Sequence, residues 1–192
     1  MTAPKSPSPG EFQVDITGEI ESASFANPVR STWLTYSIIP LNMNEWTVVS
    51  GDPSGTSPKS SPSGCEVVWN VPINCSFSTP SPEGWPRVAL TVYSSDWWNR
   101  AVLLGYGSTI IPTQPGRHSR TIHLFAPQSS SWYSAILGWI LGRRARFLDS
   151  SKAMCSNETG KEHLRVTSIG SSIELNLNVA LRNTDSMRFV FE

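Results

Sequence analysis

The clearest pattern along the chain is alternation. Phe12, Val14, Ile16 and Ile20, with Gly18 in step, alternate with Glu11, Gln13, Asp15, Thr17 and Glu19. A period of two puts every second side chain on one face, so this stretch predicts a half-buried strand. Val67, Trp69, Val71, Ile73, Cys75 and Phe77 share one parity, opposed mainly by Glu66, Asn70, Pro72, Asn74 and Ser76. Pro72 has no N–H to donate, which places that strand at a sheet edge or at a bulge. Ile173, Leu175, Leu177, Val179 and Leu181 alternate with Ser172, Glu174, Asn176, Asn178 and Ala180 in the last strand. Further strands are expected at Thr32–Pro40, Glu45–Val49, Arg87–Tyr93, Val102–Ile111 and Arg120–Phe125. Within them, Gly105-Tyr106-Gly107 marks a bulge or a close backbone approach. About seven to nine short strands separated by turns predict an all-β protein, an antiparallel β-sandwich. No repeat recurs at a fixed period, which disfavours a propeller or a solenoid.

One segment breaks the pattern. In Ser131–Arg146, Trp132, Ile136, Trp139 and Ile140 recur at i, i+4, i+7 and i+8, the spacing of one helical face. Tyr133, Leu137 and Leu141 widen that face. Arg143, Arg144 and Arg146 follow at the end where positive charge complements the helix dipole. The reading is one short helical insert, much too short to cross a bilayer. Three fates remain open for it: a satellite packed on the sandwich, an apolar face docked into another subunit, or a helix in a membrane interface with its arginines near anionic head groups.

Composition refines this picture. Residues 1–10 are rich in Pro and Ser and read as a disordered tail. In Ser50–Gly64, 12 of 15 residues are Ser, Pro or Gly, which predicts a mobile surface loop within a domain running from 11 to 183. Residues 184–192 form a short C-terminal segment. Lys+Arg and Asp+Glu balance at 15 each, so the basic excess of a nucleic-acid-binding domain is missing. Cys65, Cys75 and Cys155 have no CxxC spacing, and with no signal-peptide-like run at the N-terminus they read as reduced thiols of a cytoplasmic protein.

Candidate chemistry is sparse. His118, His123 and His163 sit in no nucleophile–base or metal-ligand motif, and Gly105-Tyr106-Gly107 lacks the features of a phosphate loop. The sequence proposes no catalytic residue, no cofactor and no metal site. Calcium-binding sandwiches cluster loop carboxylates, whereas Asp15, Asp52, Asp96, Asp149 and Asp185 are scattered with no Asp-x-Asp pair. No calcium dependence is expected. Trp97-Trp98 falls in a turn between two strands. The rings either cap the open end of the core or stand exposed to touch lipid or a partner.

An ordered series of short blocks carries a resemblance. It begins with Gly18-Glu19-Ile20-Glu21-Ser22-Ala23 and Val68-Trp69-Asn70-Val71-Pro72-Ile73, followed by Glu83-Gly84-Trp85-Pro86 and Gly105-Tyr106-Gly107. Pro115-Gly116-Arg117-His118-Ser119-Arg120-Thr121-Ile122, Phe125-Ala126-Pro127, Trp139, Gly142-Arg143-Arg144 and the final strand complete it. From about Phe12 to Leu181, outside the Ser50–Gly64 loop, the chain resembles the B9 domain family. That resemblance implies a C2-like β-sandwich and a non-catalytic scaffold role in the transition-zone complex at the cilium base. It also implies assembly with other B9 domain proteins and with transition-zone membrane proteins, and a place among cytoskeletal proteins of the basal body. Such complexes support cilium assembly and restrict entry of membrane proteins into the cilium. The alternative is a calcium-independent peripheral lipid-binding module. The contact candidates are Trp132, Ile136, Trp139, Ile140, Arg143, Arg144, Arg146, Trp97 and Trp98.

Overall fold

In the computed structural model the described residues are 10–127 and 166–184. They form nine strands: β1 (Phe12–Ser24), β2 (Thr32–Ile39), β3 (Thr47–Gly51), β4 (Ser54–Thr56), β5 (Glu66–Thr79), β6 (Arg87–Ser95), β7 (Ala101–Ile110), β8 (Gly116–Pro127) and β9 (Val166–Arg182). Among the described residues there is no helix. The segment expected to be helical, 131–146, lies outside them, as do residues 1–9 and 185–192.

All nine strands belong to one antiparallel sheet in the order β3-β5-β1-β9-β8-β7-β6-β2-β4. The sheet folds over on itself, so that β3-β5-β1-β9-β8 form one layer and β7-β6-β2-β4 the other. The turn-over lies at β7–β8, which are registered only where Tyr106 meets Phe125. Across the fold, the Trp69 indole on β5 donates to the Thr32 carbonyl on β2 at 3.3 Å. The alternation seen in the sequence supplies the filling. Val14, Ile16 and Ile20 of β1, Ile173, Leu175 and Leu177 of β9, and Leu34, Val88, Leu90 and Val92 of the facing layer share one core. Each such side chain contributes about 1.5–3 kcal/mol when fully buried.

One end of this core is aromatic. Phe12, Trp46, Phe77 and Trp85 meet edge-on or stacked, with ring centroids 5.5–6.4 Å apart. Both indole N–H groups are satisfied: Trp46 donates to the Glu83 carbonyl at 2.7 Å and Trp85 to the Ile111 carbonyl at 2.8 Å. An indole N–H taken out of water usually finds such a partner, because leaving it unpaired costs free energy.

The remaining local expectations sort themselves by physics. Pro72 sits on β5 beyond the reach of β3, whose register with β5 runs only from Cys75 to Ser78. Its outer side therefore needs no donor. A bulge lies two residues earlier, where Asn70 takes a φ of 49° and the β1 register shifts between Ile20 and Ser22. Gly105 and Gly107 are set by close approach: a Cβ on either would stand 2.8 Å from the Ile169 or Ile122 side chain. The register of β6 with β7 also shifts beside them, between Val92 and Tyr93.

Ser50–Gly64 differs from the loop expected there. Ser54–Thr56 form β4, bonded along Thr35–Ser37 of β2, and Ser60 continues the edge by pairing with Thr32. Ser57 is buried, and its hydroxyl accepts from the Leu34 N–H at 2.9 Å. Backbone bonds and one buried hydroxyl, not apolar side chains, fix the segment.

Candidate functional site

The β6–β7 hairpin ends in Trp97-Trp98, and its turn is built by one carboxylate. Asp96 and Arg100 close the hairpin, the Asp96 N–H donating to the Arg100 carbonyl at 3.0 Å. The Asn99 N–H returns to the Asp96 carbonyl at 3.1 Å, and Asn99 takes a φ of 57°. This is a three-residue connection with its third residue left-handed, a geometry asparagine tolerates. The Asp96 carboxylate accepts from the N–H groups of Trp98 and Arg100, both at 2.8 Å, and from Arg100 Nε at 2.7 Å. Desolvation acts to raise this carboxyl, but those hydrogen bonds and the Arg100 charge bring it below its ordinary value.

With the turn so fixed, both indoles project outward. Trp97 is 81% exposed and Trp98 76%, the most exposed large apolar side chains among the described residues. Each carries a cation. The Arg30 guanidinium lies 3.7 Å from the Trp97 ring centre and that of Arg100 lies 5.0 Å from Trp98. Arg30 is brought there by the chain entering β2, where the Ser95 N–H donates to the Ser31 carbonyl at 2.9 Å. On the adjacent strand surface Trp33 stacks on Tyr93 with ring centres 5.7 Å apart, and Lys59 Nζ stands 4.7 Å from the Trp33 ring. Four aromatic rings and three cations thus share one end of the sandwich, with Asp96 the carboxylate committed to Arg100.

Of the contact residues expected from sequence, the structure places Trp97 and Trp98 at this tip, exposed and not capping the core. Trp132, Ile136, Trp139, Ile140, Arg143, Arg144 and Arg146 lie outside the described residues. Arg30, Lys59, Trp33 and Arg100 were not singled out beforehand. Arg100 alone carried a local signal, four residues after Asp96. Arg30 and Lys59 arrive from distant loops.

A second feature lies between the two sheet edges. Ile39, Met43, Trp46, Val48, Pro53 and Phe77 line an open apolar groove of about 380 Å³. Met43 and Val48 are exposed at its rim.

The titratable groups hold structural posts. Burial, then the Asp15 charge, pushes the Cys75 thiol up to about 12, so it stays protonated and is a poor nucleophile. Tyr36 is raised by burial and by Cys75 and Asp52. Asp15 pairs with Arg182 at 2.6 Å. His118 Nε2 lies 2.9 Å from the Gln114 carbonyl. Asp52 is exposed in the β3–β4 turn. Among the described residues no three His, Cys, Asp or Glu side chains stand close enough to hold a metal ion. Cys155, His163, Asp149 and Asp185 lie outside those residues.

Comparison with known proteins gives this chain a family. Residues 14–180 match the B9-C2 family, described as ciliary basal body-associated B9 proteins. B9 domain-containing protein 1 of Xenopus laevis is 34% identical over 94% of this chain and 90% of its own length. The human protein of that name is 35% identical over 85% of this chain and 79% of its own. Human B9 domain-containing protein 2 is 28% identical over 73% of this chain and 78% of its own. Among solved structures, a C2 domain of a plant extended synaptotagmin 1 superposes with a TM-score of 0.42 at 11% identity, covering 91% of this chain and 96% of that one. A match across nearly the whole sandwich, with relatives above 30% identity over most of their length, means that this chain belongs to the B9-C2 family of ciliary basal body-associated proteins.

Proposed function

We propose that this protein is a non-catalytic scaffold subunit of the transition-zone complex at the base of the cilium. In this reading it assembles with other B9 domain proteins and with transition-zone membrane proteins. It supports cilium assembly and helps restrict which membrane proteins enter. The observation that carries the proposal is the family match over residues 14–180. The likeness to both B9 domain-containing protein 1 and protein 2, which occur together in human, supports a family whose members coexist. The contact surface is the Trp97–Trp98 tip. Exposed indoles backed by arginines have the composition of interface anchors, which favour Trp and Arg.

The experiment is localisation of the tagged chain in ciliated cells, paired with affinity capture of its sister B9 proteins. Wild type is expected at the base of the cilium and in a complex. The double substitution W97S/W98S is expected to lose the sisters while keeping its melting temperature. Diffuse cytosolic signal with no sister captured by wild type would refute the scaffold reading.

A second reading rests on the same tip. Tryptophans beside cations such as Arg30 and Lys59 also suit the surface of an anionic bilayer. Calcium-free sedimentation with vesicles of rising anionic lipid content tests this. Binding that grows with anionic lipid, falls with salt and is lost in W97S/W98S supports the lipid module. Sedimentation indifferent to lipid charge removes it.

A further inference from the structure

Three cations sit over aromatic rings at the tip end of the sandwich, yet among the described residues only one of them has an anion. Arg30 lies over Trp97, Lys59 over Trp33 and Arg100 over Trp98. They come from three separate places: the β1–β2 connection, the stretch between β4 and β5, and the β6–β7 turn. Asp96 is the carboxylate partner of Arg100 at 2.7 Å, whereas Arg30 and Lys59 form no ion pair with any described residue. A ring face attracts a cation but is a poor hydrogen-bond acceptor, so most N–H donors of these two side chains are left to be filled from outside. Resting on a ring also restrains two long side chains, which lowers the entropy cost of engaging an anion.

The two cations are set around a corner. Leu34 and Val92 face the main core, so Trp33 and Tyr93, register partners beside them, face out from the flank of the β2–β6 layer. Trp97 follows just past the end of β6, at the hairpin tip. Along the direction of β6 the flank site and the tip site are roughly 10 Å apart. A planar bilayer that receives the Trp97–Trp98 tip meets the end of the sandwich and leaves the Trp33 flank to the side. An extended polypeptide advances about 3.3 Å per residue, so carboxylates spaced about three residues apart reach both cations at once. The Arg30 fork suits a carboxylate bidentately, and Lys59 meets one as a point charge.

We propose that this surface binds an acidic, extended segment of a partner protein, its carboxylates engaging Arg30 beside Trp97 and Lys59 beside Trp33. The proposal rests on reading the tip as the contact surface, and it names the chemistry of what the tip contacts. The indoles exclude water from beside the ion pairs, which strengthens them.

The test uses the purified full chain and two fluorescein-labelled peptides, one with Glu at every third position and Ser between, the other with Gln in place of Glu. Fluorescence anisotropy is expected to show the Glu peptide binding, and binding more weakly as salt rises. The Gln peptide on wild type, and the Glu peptide on the variant Arg30→Gln/Lys59→Gln, are each expected to bind at least about tenfold more weakly, the loss of one charge-assisted hydrogen bond or more. Both substituted side chains are exposed, so the variant keeps the wild-type melting temperature. A carbodiimide, which joins an amine to a carboxylate in contact with it, is expected to link the Glu peptide to Lys59 and not to Lys5, Lys152 or Lys161. Equal binding of the two peptides, no binding of either, an unaffected variant, or links only at the other lysines would overturn the proposal. So would anionic vesicles that sediment the chain through Arg30 and Lys59 while the Glu peptide stays free, since that result assigns the cations to a membrane. Capture of the sister B9 proteins reads the scaffold role separately: its failure, with the Glu peptide bound at Lys59, sinks that role and leaves this chemistry standing.

Discussion

Gly18→Ala offers a sharp test of the strand packing. Gly18 lies mid-way along β1, opposite Ile73 of β5 on one side and Leu177 of β9 on the other. A Cβ added there would sit 2.1 Å from the Asn176 carbonyl oxygen and 2.9 Å from the Leu177 Cα. These are backbone atoms of a paired strand, so no rotamer change relieves the clash. Restoring an ordinary contact means moving β1 and β9 apart by more than an ångström and loosening the bonds between them. Overpacking of this kind costs about 1–3 kcal/mol, and the backbone state at a φ of +157° adds about 1–3 more for a residue with a side chain. Reduced unfolded-state freedom returns only about 0.4–1 kcal/mol. The net is a loss of about 2–5 kcal/mol, which for a chain of this size lowers the melting temperature by roughly 4–20 °C. Gly64→Ala isolates the clash, since Gly64 also has a positive φ, +68°, but nothing within 4 Å of an added Cβ. It is expected to cost about 1 kcal/mol. Thermal and urea unfolding followed by tryptophan fluorescence measures both. The reasoning fails if Gly18→Ala melts with wild type, or if Gly64→Ala falls as far.

Three further outcomes follow from the same geometry. Trp46→Ala, which empties the centre of the Phe12–Phe77–Trp85 cluster, is expected to cost about 3–5 kcal/mol in urea unfolding, and a near-neutral result would show that the cluster is not packed as described. Cys75 ionises near 12 when folded and near 9.0 when exposed, so its contribution is complete below pH 9 and drains away as pH rises towards 12. Alkaline melts of wild type should therefore fall more steeply in that window than those of Cys75→Ala, and parallel curves would contradict this. W97S/W98S should shift stability by less than about 0.5 kcal/mol, because both rings already stand in solvent, and a large loss of melting temperature would mean that they are packed after all.

What the sequence disclosed and what it hid divide along a physical line. A strand that buries one face writes itself as alternation, so β1, β5 and β9 were legible, down to Pro72 and the Gly105-Tyr106-Gly107 approach. β4 was not, because Ser54, Gly55 and Thr56 bury no apolar stripe. They are held by backbone bonds to Thr35–Ser37, and Gly55 is admitted only because it has no side chain to strike the Tyr36 ring. Composition reads such a stretch as loop, since the stabilising partner is written elsewhere in the chain. The same holds at the tip. Trp97-Trp98 announced an aromatic turn, but exposure depended on Asp96 pinning the hairpin. The cation on Trp97 depended on Arg30 being delivered through the Ser95–Ser31 bond. A site assembled from one local turn and two distant loops shows in sequence only its local third. Strands β6 and β7 repeat this: Ala89, Leu103 and Tyr106 carry no alternation that separates outward from inward, because side chains on both faces of these strands are buried. A strand buried on both faces reads as a continuous apolar run. Val88–Val92, interrupted only by Thr91, reads this way, and alternation there cannot say which side chains face the shared core and which face outward.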